Sequence, residues 1–238
     1  MRIHTIETVF ITGADKGLGL SLAQRFLREG TRVFAGQYLP DSNLSALAES
    51  FPQDLIPIPL DVTQMDSVRQ AARRVAELTT ELDVLINNAG VMLETRTPLP
   101  ELDLARLPLL ETLEVNTFGP LRMVQQFLPL LEEGDRRLIL NVSSEAGSIA
   151  ACWRESEFAY SMSKAALNMQ SKILQNHLKP RGFKVLAVHP GWMRTDMGGA
   201  EADIHPDEAA EGLFNLAVKD WKPDDEIFLD YRGQPLRW

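Results

Sequence analysis

Seven short apolar runs punctuate this chain, with amphipathic stretches between them. The runs are Thr8-Val-Phe-Ile-Thr12, Arg32-Val-Phe-Ala35, Leu55-Ile-Pro-Ile58, Val84-Leu-Ile86, Arg137-Leu-Ile-Leu-Asn-Val142, Lys184-Val-Leu-Ala-Val188 and Glu226-Ile-Phe-Leu229. Their nearly continuous apolar character is that of strands covered on both faces, as in a parallel sheet. Helical patterns fall between them, near residues 18–29, 42–50, 64–80, 106–131, 157–179 and 206–219. Strand–helix alternation implies right-handed crossovers, so the expected class is α/β, a doubly wound parallel sheet of about seven strands with helices on both faces. No repeat or linker-like boundary interrupts residues 1–238, which read as a single domain.

With 45% of 238 residues hydrophobic and 24% charged, the chain can fill one sizeable core. A net charge of −9 argues against a nucleic-acid partner, because binding a phosphate backbone depends on Lys and Arg. No window nears the ~20 apolar residues of a membrane span. Met1-Arg-Ile-His-Thr-Ile-Glu7 lacks the apolar run of a signal peptide. One cysteine, Cys152, excludes an intramolecular disulfide and suits a reducing cytosol. The expectation is a soluble cytoplasmic protein with no membrane partner.

Ligands of such sheets bind at the carboxyl ends of the strands. The first run leads there into Thr12-Gly-Ala-Asp-Lys-Gly-Leu-Gly19 and then a helix. Glycines at 13, 17 and 19 permit a tight turn and close approach of backbone to a pyrophosphate, with the helix N-terminus offering unpaired N–H groups. An ordinary glycine-rich turn would look the same in isolation. Farther on, Tyr160 and Lys164 lie four residues apart on a helical pattern, so both project from one face, roughly 5–6 Å apart at Cβ. An ammonium beside a phenol favours the phenolate, which makes a proton donor and acceptor.

The glycine spacing, Asn87-Asn-Ala-Gly90, Asn141-Val-Ser-Ser144 and Tyr160-x-x-x-Lys164, in that order, resemble the short-chain dehydrogenase/reductase family over almost the whole chain. The resemblance implies a Rossmann-type dinucleotide-binding and catalytic domain whose catalytic residues are Asn116, Ser144, Tyr160 and Lys164, with Ser143 as the alternative serine. Tyr160 would serve as general acid or base, Lys164 would lower its pKa and hold the nicotinamide ribose, and Ser144 would stabilise the developing oxyanion. Residues 151–157 look like a small insertion before the tyrosine. Pro120 follows Asn116 by four residues and has no N–H to give the Asn116 carbonyl, so a local helix distortion is expected there. In the family this carbonyl holds a water that connects the lysine to solvent. An enoyl reductase would place its tyrosine where Glu157 stands, and that reading is set aside.

The cofactor contacts the resemblance implies are Gly13, Asp15, Lys16, Gly17, Leu18 and Gly19 in the loop. Gln37 and Tyr38 follow the second strand, Asp61 and Val62 the third, and Asn87, Ala89 and Gly90 the fourth. Pro190, Gly191, Trp192, Met193 and Thr195 follow the sixth, and Tyr160 and Lys164 complete the set. Asp61 would reach the adenine amino group, or else, like Thr63, cap the next helix. The second strand ends without the acid that favours NAD, and Lys16 stands where a cation meets a 2′-phosphate, so NADP is favoured over NAD. A solvated loop cation is the alternative for Lys16. The paired glycines Gly198 and Gly199 suggest a mobile flap over the substrate. Trp153, Phe158, Trp192, Met193 and Met197 would wall the substrate site, or serve as core. His189 lacks partners with metal-ligand spacing, and no metal is expected.

Tyr160-Ser-Met-Ser-Lys-Ala-Ala-Leu-Asn-Met, the tract from His189 to Gly199, and Phe228-Leu-Asp-Tyr-Arg-Gly-Gln-Pro-Leu-Arg-Trp238 are similar to a subgroup of sniffer-type carbonyl reductases and C-factor-like proteins. The expected activity is NADPH-dependent reduction of a small-molecule carbonyl, an aldehyde or ketone, to an alcohol. A dinucleotide-binding regulatory protein with little turnover is the alternative. The resemblance also implies a homo-oligomer, dimer or tetramer, through the helices near 106–131 and 157–179.

Overall fold

A computed structural model describes residues 6–39 and 43–238. All seven expected strands form: β1 (Thr8–Ile11), β2 (Arg32–Gln37), β3 (Leu55–Pro59), β4 (Val84–Asn87), β5 (Leu138–Val142), β6 (Lys184–His189) and β7 (Phe228–Asp230). They pair in the order β3-β2-β1-β4-β5-β6-β7, and every pair is parallel. β1, β4 and β5 are buried along their whole length, as their uninterrupted apolar sequences require. β3 carries Pro57 and Pro59 and takes an edge, where a missing N–H costs no ladder bond.

The helices are α1 (Gly17–Arg28), α2 (Leu44–Ser50), α3 (Met65–Ala76), α4 (Leu109–Leu113), α5 (Gly119–Glu133), α6 (Phe158–Leu178) and α7 (Pro206–Val218). The expected start of the second helix at residue 42 lies outside the described residues. Two apolar clusters flank the sheet. One packs α1 and α7 through Leu22, Phe26, Leu213 and Phe214, and the other packs α3 and α5 through Val68, Val75, Met123 and Phe127. Among the described residues no helix is long and apolar enough to cross a membrane.

The single helix expected over 106–131 is divided. α4 passes into a π-helical turn, Glu114–Phe118, and then into α5. The Gly119 N–H donates to the Glu114 carbonyl, five residues back. Gly119-Pro120 explains the break. Pro120 cannot donate to Asn116, and a Cβ on Gly119 would stand 2.9 Å from a Val62 methyl. Val62, expected at the cofactor, thus turns its side chain onto Gly119.

Candidate active site

Chain reversal between β1 and β4 opens a crevice at the carboxyl ends of the strands, where the two central loops meet. Gly13 (φ 63°) and Gly17 (φ 53°) take left-handed conformations that favour glycine. A Cβ on Gly19 would collide with the Gly13 carbonyl oxygen and stand 2.6 Å from Asn88 Nδ2. Asn88 is the residue that sequence reasoning missed. Its Nδ2 donates to the Thr12 and Gly13 carbonyls (2.9 and 3.0 Å), while Thr12 Oγ1 accepts from the N–H groups of Asn88 and Ala89. Its neighbour Asn87 points instead into the sheet and donates to Asn141 Oδ1 at 2.8 Å, and Asn141 donates to Ser171 Oγ. Leu18 is also core, so only its backbone faces the loop.

α1 begins at Gly17 with no side-chain cap from Lys16, which leaves its first N–H groups aimed at the crevice. A tight glycine turn held by Asn88, at an uncapped helix N-terminus, fits a pyrophosphate. Asp15 contributes differently from expectation. Its buried carboxylate accepts from the N–H groups of Tyr38 and Leu39, each at 3.1 Å, and so ties the glycine loop to the end of β2. Gln37 Nε2 donates to the Leu39 carbonyl in the same turn. Asp61 accepts from the N–H and hydroxyl of Thr63, so it shapes its own turn, and the cap position before α3 falls to Gln64.

Lys16 is not a free loop cation. Its ammonium donates to Asp196 at 2.6 Å, across 180 residues of sequence. Beside that pair, a Cβ on Gly17 would stand 3.4 Å from the Thr195 methyl, so the glycine loop and the segment after β6 touch. Gly191 (φ 86°) is also crowded by Ile204, 2.6 Å from the space a Cβ would fill. Gly198 and Gly199 lie in a hydrogen-bonded segment. Trp192 Nε1 donates to the Gly198 carbonyl, and the Gly199 N–H to that of Thr195. Arg194 and Ile204 close the segment through backbone bonds to Ile204 and Trp192. Pro190 is buried and Met193 packs on the core, whereas Trp153, Trp192 and Met197 are exposed and Phe158 is half-buried.

The proton-transfer residues come together across this crevice from the cradle. Ser144 lies two residues past β5, where its hydroxyl accepts from the Ala146 N–H at 3.1 Å and stands near enough to the Tyr160 phenol to pull its pKa down. Ser143, the alternative serine, donates to Asn168 Oδ1 at 2.6 Å. Lys164 Nζ stands 5.7 Å from the Tyr160 ring centroid and donates to the Val142 carbonyl at 2.9 Å. Gly90 lies between Lys164 and Asn116, whose side chain is fully engaged: Oδ1 accepts from the Val91 N–H and Nδ2 donates to Val91 and Ser163. That leaves the backbone of Asn116, within the π turn, as the part able to hold a water.

Burial pushes the Tyr160 phenol above its ordinary range, while the Ser144 hydroxyl pulls it back. Burial also lowers Lys164, to about 8. Arg154, from the segment read as an insertion, also lowers the phenol, and Glu145 and Glu157 raise it. His189 is lowered by burial. No group of three or more His, Cys, Asp or Glu side chains is placed to hold a metal among the described residues.

A dinucleotide cradle facing a phenol, a hydroxyl and an ammonium defines a class, the nucleotide-dependent oxidoreductases built on a Rossmann sheet. A model of the short chain dehydrogenase family matches residues 7–205, and the chain belongs to that family. It is similar to the C-signal protein of Myxococcus xanthus, 38% identical over 67% of this chain and 95% of the other. Among solved structures it is similar to the NADPH-bound carbonyl reductase from chicken fatty liver, with TM-score 0.89, 32% identity and coverage of 98% and 99% of the two chains. The carbonyl reductase Sniffer of D. melanogaster matches with TM-score 0.91 and 28% identity over 98% and 100%. The protein is an oxidoreductase that uses a nicotinamide dinucleotide.

Proposed function

We propose that this enzyme reduces a small-molecule carbonyl to an alcohol with NADPH, with Tyr160 as the proton donor. The observation that carries this reading is the gathering of Ser144, Tyr160 and Lys164 opposite the glycine cradle, with Lys164 Nζ 5.7 Å from the Tyr160 ring centroid. A bound nicotinamide would supply the hydride. The side chains do the rest. Tyr160 delivers its proton to the substrate oxygen, and Ser144 donates a hydrogen bond to the same oxygen as charge builds there. Lys164, one turn below the phenol, holds the ribose, and Gly13, Gly17 and Gly19 let the backbone meet the pyrophosphate. Asn116, through its carbonyl, links Lys164 to solvent.

Lys16 supports NADPH. It lies at the loop that Asp15 ties to Tyr38, beside the place of the ribose 2′ substituent, and a phosphate there would compete with Asp196 for its ammonium. Oxidation of NADPH and NADH with a panel of aldehydes, ketones and quinones tests both parts. Tyr160→Phe is expected to lower kcat by about 10²–10⁴-fold with cofactor affinity kept. Lys16→Ala is expected to reduce the NADPH-to-NADH preference. A Tyr160→Phe enzyme with unchanged turnover sinks the proton-donor assignment, and an unchanged cofactor ratio sinks that of Lys16. A cytoplasmic setting fits the exposed, unpaired Cys152.

The same family reading includes a homodimer through α5 and α6. Met162, Met169 and Ile173, spaced by seven and four residues, are exposed apolar residues of α6, and Phe118 before α5 and Leu121 in its first turn are exposed as well. Sedimentation equilibrium is expected to give a dimer or tetramer, and Met169→Glu with Ile173→Glu a monomer. A monomeric wild type at micromolar concentration rules this surface out.

A further inference from the structure

We propose that Arg154 is a positioning residue for proton transfer, a clamp that sets Ser144 against Tyr160. The guanidinium grips two carboxylates at once. Nη1 and Nη2 donate to the two oxygens of Glu145, both at 2.7 Å, and Nε donates to Glu157 at 2.8 Å. Glu145 directly follows Ser144, and Glu157 sits at the N-terminus of α6, three residues before Tyr160. The clamp therefore joins the two backbones that carry the reacting hydroxyls.

Two further observations show that this junction is held deliberately rather than decorated with surface charge. Glu157 is a non-glycine residue in the left-handed region (φ 64°), and its side chain is only 5% exposed. Such a conformation persists only where its surroundings over-determine it. Here Arg154 takes one oxygen and Arg96 the other, at 2.7 Å. With its own carboxylate so engaged, Glu157 cannot cap α6. Glu94 does so from outside the helix, accepting from the N–H of Tyr160 itself at 2.6 Å. Arg154 is itself 14% exposed, so its ion pairs are shielded from water and geometrically fixed, unlike the pairs on the surface helices.

The charged groups around the phenol come from every neighbouring element. Lys164 and Glu157 lie on or before α6, Glu145 follows β5, Glu94 and Arg96 belong to the loop after β4, Arg154 to the segment before α6, and His189 to the end of β6. Arg154 lowers the Tyr160 pKa and Glu145 and Glu157 raise it. Removing the guanidinium thus does two separable things. It frees the Ser144–Tyr160 geometry, and it leaves two carboxylates unopposed, which moves the phenol further up.

The proposal is tested by Arg154→Met, Arg154→Lys and Glu145→Gln in the full chain. The readouts are kcat, KM, cofactor affinity and the tyrosinate absorbance titration of Tyr160, with Tyr160→Phe as the blank. Three tyrosines in the chain make that difference signal resolvable. Arg154→Met is expected to lower kcat by about tenfold to a hundredfold with cofactor affinity kept, and to move the Tyr160 midpoint upward. Arg154→Lys restores the midpoint toward wild type but not kcat, because a single ammonium cannot span both carboxylates. Glu145→Gln gives the sign that a merely structural role would not: kcat falls, yet the midpoint moves downward, since one negative charge is gone. It also keeps the test decisive if Arg154→Met fails to fold. Unchanged kcat in Glu145→Gln, or a midpoint that moves the same way in Glu145→Gln as in Arg154→Met, overturns the proposal. The kinetic arm rests on the carbonyl-reductase reading, but the titration arm does not. Wild-type protein inert on every carbonyl, with the opposed midpoint shifts intact, would count against that reading and not against the clamp.

Discussion

Lys164→Met is expected to abolish turnover and at the same time to stabilise the protein. Lys164 is 5% exposed, and burial lowers its pKa from 10.5 to about 8. A folded pKa below the unfolded one means that the native state resists the charged form. Below about 8 the full penalty is present, and it disappears as pH rises from there to the unfolded value. At pH 7 it is on the order of 3 kcal/mol. Methionine fills similar space without charge but gives up the hydrogen bond to the Val142 carbonyl, worth about 1 kcal/mol, so a net gain of about 1–2 kcal/mol remains. Urea unfolding at pH 7 and pH 10 should show this advantage and then its narrowing. A variant less stable than wild type at pH 7 would mean that the ammonium is better solvated than its burial implies. On the proposed roles of Lys164 in binding and proton transfer, the penalty is a stability–activity conflict localised to one side chain.

The second large effect is expected at Gly19. An alanine Cβ there meets the Gly13 carbonyl and Asn88 Nδ2, and neither can retreat, because Asn88 is what holds the loop. Gly19→Ala should lose dinucleotide affinity beyond detection in a fluorescence titration with NADPH and should cost about 2–3 kcal/mol in thermal unfolding. Gly30→Ala is the matched control. Gly30 has a positive φ of 78° but nothing within 4 Å of a new Cβ, so only backbone strain of about 1 kcal/mol is expected, with affinity intact. Wild-type affinity in Gly19→Ala would refute the cradle as the pyrophosphate site.

The sheet was legible because each strand is a short apolar run between amphipathic helices, a local signal that survives without knowledge of pairing. Tyr160 and Lys164 were legible for the same reason, since helical spacing alone puts them on one face. Pro120 announced the break at Asn116, but not that the chain would absorb it as a π turn, which depends on Gly119 yielding space to Val62. What stayed hidden was long-range. Nothing local distinguishes Asn87 from Asn88, yet the first faces the sheet and the second the glycine loop. Lys16 and Asp196 are 180 residues apart, and charge alone does not say that they meet. Residues 151–157 carry no periodicity, so Arg154 read as part of an insertion, whereas in the structure it bridges Glu145 and Glu157. The crowding of the glycines at 191 and 198 by Ile204 and Met193 was not legible either, because it too is a contact between separate segments.

The buried chain Asn87–Asn141–Ser171 also fixes alignment. Asn87 and Asn141 face each other in register near the carboxyl ends of the two central strands, in a sheet otherwise lined with interchangeable aliphatic side chains. Sliding one strand past the other by a single residue would still oppose apolar to apolar along most of its length, but it would strand two amides without partners. Polar contacts deep in the sheet therefore act as a vernier. They lock the two loops that follow, one carrying Asn88 and the other Ser144, at a single height relative to each other.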